Sequence, residues 1–333
     1  MTPAPAPLRI SHRHHILHPM PASNRHLVSI IVPSFNQGRY IRETVESCLA
    51  QDYRPIEVLV IDGASTDNTL DVLHQYDDVP EIRWVSEKDS GVADAVNKGL
   101  RLAKGTIAGI QSSDDAYLQG ALSNAVSHFS ERPELGVVYG DLVYVDASGT
   151  ELKRSRTAPY SLENFLSTRT LILQPAAFFR LDLAKNVGGW NPDYFVCDTE
   201  MWLRMLYRAP ARKVDAIWGL RRLHCEQRNT RAADIVTSYA RMIDHSPDIA
   251  TSSCRLRCAA QCGKHVMAAN YNPSGCTVFR LYSYWRAFLS FPAIAKTPHI
   301  AAALFPGYWH LRKWCTRLSR GLNRLKRVGS HSE

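Results

Sequence analysis

Between Val28 and Ile110 the chain alternates short, fully apolar runs with stretches whose apolar residues recur at helical spacing, and no other feature restricts its possible folds as strongly. Val28, Ile30, Ile31 and Val32, closed by Pro33, read as a buried strand, and the loop 34–38 follows. Tyr40, Ile41, Thr44, Val45, Cys48 and Leu49 then mark one face of a helix. The runs 56–61, 82–86 and 106–110 repeat the strand signal. A helix is expected over 68–76, and Val92, Ala95, Val96, Gly99, Leu100 and Ala103 form another apolar stripe. Such alternation builds right-handed βαβ units, so the expected class is α/β, a Rossmann-like, mostly parallel central sheet flanked by helices. Ligands of these sheets gather at the carboxyl ends of the strands, which singles out the polar loops 62–67 and 112–115.

Beyond residue 110, the runs 137–145, 176–180 and 216–220 read as strands and 199–207 as a helix. From about residue 233 strand patterns cease. Helical periodicity marks 255–269, 280–289 and 310–326, with a turn at 271–275. The expected organisation is a leader over 1–26, a catalytic α/β domain over 27–235 and a basic helical extension over 236–333. The leader holds five Pro and five His without the apolar run of a secretory signal, and is expected to be disordered.

Charge is distributed unevenly. Thirteen Lys or Arg and no Asp or Glu lie between Thr251 and Ser332; with Glu333, that end carries +12 of a total of +9, leaving −3 for residues 1–250. The extension therefore calls for an anionic partner and the rest does not. No apolar stretch reaches the roughly 18 uncharged residues of a membrane span. The eight cysteines lack the density of a disulfide scaffold, so a cytosolic protein with reduced thiols is expected. Cys254, Cys258 and Cys262 fall on one helical face, as small buried residues or, less in keeping with usual ligand spacing, as a metal cluster.

Ser112-Ser113-Asp114-Asp115 follows a strand, and adjacent acids there suit Mg2+ or Mn2+ on a nucleotide diphosphate; they equally suit the N-terminus of a helix near Gly120. Asp62 ends the second strand, where it either accepts hydrogen bonds from a base or ribose or caps the turn. Phe35 either stacks on that base or packs.

Five motifs come in a telling order: Val32-Pro33-Ser34-Phe35-Asn36; Val60-Ile61-Asp62-Gly63-Ala64-Ser65-Thr66-Asp67-Asn68-Thr69; Ser86-Glu87-Lys88-Asp89-Ser90-Gly91; Asp94-Ala95-Val96-Asn97-Lys98-Gly99; and Ser113-Asp114-Asp115. Together they resemble the family 2 glycosyltransferases over roughly residues 28–230. The resemblance implies a GT-A fold and inverting transfer from a nucleoside-diphosphate sugar, UDP by family habit, to a glycan or lipid-linked acceptor in cell-surface polysaccharide or glycolipid synthesis. By position, Asp62 would contact the base, Asp114 the ribose and Asp115 the Mg2+ or Mn2+ ion. Pro33 and Phe35 would line the base pocket, and Asp89 and Lys98 fall in the donor-facing segment.

Gly188-Gly189-Trp190-Asn191-Pro192-Asp193 and Asp198-Thr199-Glu200-Met201-Trp202-Leu203-Arg204 resemble the acceptor segment, with Asp198 the better match for the base and Glu200 the alternative. Gln174 resembles an acceptor-side element, His224 a loop histidine near the metal or diphosphate, and Arg222 and Arg228 residues that screen phosphate charge. Ala93 departs from an aromatic common there, which leaves sugar selectivity open. A sugar-phosphate nucleotidyltransferase would need a glycine-rich basic loop where this chain has Ser34-Phe35-Asn36-Gln37-Gly38; a non-catalytic nucleotide-sugar scaffold would not need Asp114, Asp115 and Asp198 together. Trp285, Tyr308, Trp309 and Trp314 interleave with cations over 280–327, a mixture suited to an anionic membrane surface, here the inner face, or to a solvated helical lid with packed aromatics, rather than to nucleic acid.

Overall fold

The computed structural model describes residues 26–224, 231–272 and 275–304. The chain runs β1 (Val28–Ser34), α1 (Ile41–Leu49), β2 (Ile56–Asp62), α2 (Thr69–Leu73), β3 (Ile82–Ser86), α3 (Val92–Leu102) and β4 (Ile107–Ile110). It continues through β5 (Ala116–Tyr117), α4 (Ala121–Glu131), β6 (Val137–Val145), β7 (Glu151–Arg154), α5 (Leu162–Leu166), β8 (Ala177–Arg180), α6 (Leu181–Asn186), α7 (Cys197–Leu206) and β9 (Ala211–Arg222). Helices α8 (Ala232–His245), α9 (Pro247–Ala250), α10 (Cys254–Tyr271), α11 (Thr277–Ser290) and α12 (Pro298–Leu304) follow.

All nine strands join one sheet in the order β3-β2-β1-β4-β8-β6-β9-β5, with β7 on β6. The β3-β2-β1-β4 half is parallel; β8 is antiparallel to both β4 and β6, and β9 runs parallel to β6. Alternate residues of β1 and β2 serve opposite faces. Ile31 and Leu59 pack with Val96 and Leu100 of α3, whereas Ile30, Val32, Val58 and Val60 pack with Ile41, Val45 and Cys48 of α1. Helices on both faces explain why β1 is buried along all seven residues. At Gly99 a Cβ would collide with Ile31, so glycine is what lets α3 lie this close to β1.

The apolar runs mark β1 to β4, β6 and β8 to within a residue or two. The strand expected over 216–220 is the longer β9, whose polar start conceals it: Lys213 there pairs with Asp141 of β6 at 2.6 Å, both side chains under a tenth exposed. The helix expected over 68–76 is α2 followed by a 3-10 turn at His74–Tyr76. Two-residue β5 and the fully exposed β7 lack any apolar run, so the pattern missed them.

The core on the α3 face continues across residue 235. Ile235, Tyr239 and Met242 of α8, Ala259, Cys262 and Val266 of α10, and Ala287 of α11 share one buried cluster with Val96 and Trp202. Gly263 presses on the Leu166 carbonyl oxygen of α5, where a side chain would not fit. Along α10, Cys254 is exposed, Cys258 half-buried and Cys262 buried. The leader but for His26, together with Arg228, Tyr308, Trp309, Trp314 and the helix expected over 310–326, lies outside the described residues. Among the described residues no helix is long and apolar enough to cross a membrane.

Candidate active site

Sheet register places Ser34, Asp62 and Ser86 side by side at the carboxyl ends of β1, β2 and β3. The Asp62 carboxylate is wholly buried and accepts the Ser65 N–H at 2.9 Å, the Ser65 hydroxyl and the Ser86 hydroxyl at 2.7 Å. With about four acceptor sites on a carboxylate, one remains. Asp62 thus organises the 62–67 loop, and the Asn36 side chain stitches that loop to the one after β1 by accepting the Thr66 N–H at 2.8 Å. The Asn36 N–H reaches the Ser65 hydroxyl at 2.7 Å and the Gly38 N–H reaches Asp67 at 3.0 Å. Beside this stitched pair Pro33 is buried in β1, while Phe35 stands 58% exposed with its ring available for stacking.

Asp89 lies over Gly63, where a Cβ would come within 2.7 Å of its Oδ2, and its Oδ1 accepts the Gly91 N–H at 2.9 Å. Lys98 reaches the same loop from α3 but meets protein: Glu87 at 3.0 Å, the Lys88 carbonyl at 3.4 Å and Asp94 at 3.5 Å. The ammonium thereby holds the 87–91 loop against the helix.

The two acids after β4 have different surroundings. Asp115 is 3% exposed, and its Oδ1 accepts the Arg222 backbone N–H at 2.9 Å. Burial first, and then the neighbouring Asp114, push its carboxyl well above the usual range, against the pull of Arg221 and the Arg222 N–H. Asp114 Oδ2 lies 2.9 Å from His224 Nε2, and the histidine ring leans on Tyr40 at 5.4 Å. His224 is thus held against Asp114. The Arg222 guanidinium is buried, pairs with Glu43 at 2.6 Å, donates to the Asp114 carbonyl at 3.2 Å and lies over the Tyr40 ring. Gln174 sits beneath the loop, donating to the Ile110 carbonyl at 2.5 Å and accepting the Ser112 hydroxyl at 3.4 Å.

Among the described residues no group of three or more His, Cys, Asp or Glu is arranged to hold a metal. The chemistry of Asp115 nonetheless fits one: burial and the second acid beside it outweigh the pull of Arg221 and Arg222, and Mg2+ or Mn2+ takes one or two protein oxygens and completes its shell with water and phosphate.

Across the crevice, Asn97 of α3 clamps the 188–190 loop twice, donating to the Trp190 carbonyl and accepting the Trp190 N–H, both at 2.8 Å. Gly189 makes this possible with φ +68°, a conformation costly for a side chain. Arg204 of α7 ties the same loop through the Val187 and Gly189 carbonyls and grips Glu200 with two nitrogens, at 2.7 and 2.5 Å. Glu200 is accordingly a buried structural partner. Asp198, two residues earlier and partly exposed, accepts only from Thr199, at 2.7 Å from its N–H, among the described residues.

Sequence reasoning missed three residues within electrostatic reach of the acids. Arg221 stands opposite Tyr144 in the β6–β9 register, forms no ion pair among the described residues, and acts on Asp115, Tyr144 and Tyr271 together. Burial raises the Tyr271 phenol, Arg221 pulls it back and Asp198 adds to the rise, so the last residue of α10 lies within electrostatic reach of both charges.

Residues 29–184 match the model described as Glycosyl transferase family 2. Over that segment the chain is similar to family 2. Its sheet and flanking helices are the GT-A fold, as the likeness to solved structures shows: S. aureus TarS residues 1–349 in complex with UDP-GlcNAc aligns at TM-score 0.62 over 79% of this chain and 81% of that one, at 18% identity. Escherichia coli chondroitin synthase is 30% identical over 212 residues, 63% of this chain and 31% of that protein. The Escherichia coli protein WfaP, named as a UDP-Glc:alpha-D-GlcNAc-diphosphoundecaprenol beta-1,3-glucosyltransferase, is 36% identical over 115 residues, 34% of this chain and 45% of that one. The chain spans about a third of the length of the first curated relatives it matches. The matched segment holds Asp62, Asp114 and Asp115 at or just after the carboxyl ends of β2 and β4, whereas Tyr271 lies beyond it. The only sequence signal for Tyr271 was its place in a turn, and for Arg221 its neighbour Arg222.

Proposed function

We propose that this chain is an inverting family 2 glycosyltransferase that moves a sugar from a nucleoside-diphosphate donor, UDP by default, to a hydroxyl of a glycan or lipid-linked acceptor in cell-surface polysaccharide or glycolipid synthesis. The observation that carries the reading is the division of labour among carboxylates: Asp62 and Glu200 are tied down by protein donors, Asp115 is buried beside a second acid whose effect, with burial, outweighs Arg221 and Arg222, and Asp198 is left partly open. In this reading Asp198 takes the proton of the acceptor hydroxyl, whose oxygen attacks the anomeric carbon from the face opposite the leaving group. The bond from that carbon to the diphosphate oxygen breaks, and the electron pair departs with the nucleoside diphosphate. Asp115 would hold Mg2+ or Mn2+, which when bound offsets the charge gathering on the diphosphate. Phe35 and the Asp62 loop receive the base, and Arg221 adds a second positive charge beside Asp115. TarS is described in complex with UDP-GlcNAc and WfaP as acting on a diphosphoundecaprenol-linked sugar, which supports a UDP donor and a lipid-linked acceptor. A screen of nucleotide sugars for thermal stabilisation, with and without Mn2+, tests the reading: one or a few donors should raise the melting temperature, more so with the ion. Absence of stabilisation by every nucleotide sugar would defeat it.

A further inference from the structure

Helix α11 is amphipathic, yet it is mounted with its wide apolar side outward. Val278, Leu281, Tyr282, Trp285 and Leu289 recur at i, i+3, i+4, i+7 and i+11, a single stripe, and they are 74, 39, 57, 42 and 72% exposed. The opposite side, with Ser283, Tyr284 and Ala287, is the buried one, and the Tyr284 hydroxyl fixes it to Asn270 of α10 at 2.8 Å. A contiguous apolar stripe of this size on a folded surface marks a place of contact, since scattered apolar residues do not align this way.

Charge decides what covers it. Arg286 flanks the stripe with a nitrogen 2.9 Å from the Tyr282 hydroxyl, Arg280 stands on the same helix, and α11 carries no acidic residue. A second copy packed symmetrically on this face would set those cations against their own equivalents. An anionic bilayer meets both features at once, taking the aliphatic and aromatic side chains among its headgroups and the arginines at its phosphates. We infer that α11 is the surface through which the protein docks on anionic lipid, stripe downward and parallel to the membrane plane.

The position of the helix gives the docking a use. Asn272, one residue after Tyr271, donates to the Cys276 carbonyl at 3.2 Å, so the start of α11 is tied to the end of α10, whose Tyr271 feels the charge of Asp198. A membrane under α11 would bring the headgroup layer toward the acceptor side of the crevice. This use rests on the proposed transfer to a lipid-linked acceptor; the docking itself rests on exposure and charge alone.

The test compares full-length protein with a Val278→Ser, Trp285→Ser, Leu289→Ser variant on vesicles of phosphatidylcholine with and without phosphatidylglycerol, by cosedimentation. Wild type should sediment with the anionic vesicles and be released by salt, and the variant should bind at least about tenfold more weakly with unchanged melting temperature and UDP affinity. Equal binding of the two proteins would overturn the inference, as would no binding of wild type at low salt. A wild-type dimer that the variant converts to monomer would assign the stripe to a second copy. A variant that melts several degrees lower while binding vesicles as before would assign it to another part of the same chain. Vesicle binding without any nucleotide binding by wild type would sink the transfer reading and leave the docking standing.

Discussion

Asp198 and Glu200 stand two positions apart in the first turn of α7, and their partners alone divide their roles. Replacing Glu200 with Gln leaves the Arg204 guanidinium partly unpaired near buried carbonyls and should cost about 2 kcal/mol of stability, read by urea unfolding. Turnover per folded molecule should survive; its complete loss in folded protein would make Glu200 the base. Asp115 behaves oppositely. Burial raises its folded-state acid above the unfolded value of about 3.8, so the group disfavours the folded chain progressively as pH rises from that value through the raised one, and the full cost is present above it. Asp115→Asn keeps the oxygen that accepts the Arg222 N–H and removes the buried charge. Without nucleotide it should therefore melt higher than wild type at neutral pH, with the gap closing toward pH 4, while losing the Mn2+-dependent part of UDP affinity. An Asn variant that melts lower at every pH would show that Asp115 is already compensated. Arg221→Gln should weaken UDP about tenfold and leave uridine unaffected, as measured by calorimetry; equal losses for both would mean that Arg221 only shapes the crevice. Residue types and order made the donor acids legible, because each closes a strand whose apolar run is plain. The choices between Asp198 and Glu200, and between Arg221 and Arg222, were not legible, since each depends on which neighbour of a pair faces protein.

The elements that hold these residues meet through few, specific contacts. Asn97 is the only side chain described as bonding both the N–H and the carbonyl of Trp190, so Asn97→Ala should free the 188–190 loop, cost about 1–3 kcal/mol and raise the acceptor KM more than the donor KM. An unchanged KM ratio would separate that loop from the acceptor side. Strands β1 to β4 were readable because parallel strands covered on both faces need unbroken apolar runs. β9 was half hidden because an ion pair with β6, rather than apolar packing, holds its first residues, and β7 left no trace because all four of its residues face solvent. The stripe of α11 was read correctly as helical, but periodicity does not say which side of a helix meets the core.

At the scale of the molecule, the helices after residue 235 complete the core that β6, β8 and α7 begin, and they bring Tyr271 within electrostatic reach of Arg221 and Asp198. The composition of the extension showed its basicity, whereas its share of the core depends on long-range packing that no local pattern records. The whole account turns on one claim, that Asp198 works as base across from a donor held at Asp115. The most direct measurement is single-turnover transfer by Asp198→Asn beside calorimetric binding of UDP with Mn2+. The variant should bind UDP as wild type does and transfer sugar about 10²- to 10⁴-fold more slowly. Transfer at the wild-type rate with binding intact would contradict the claim.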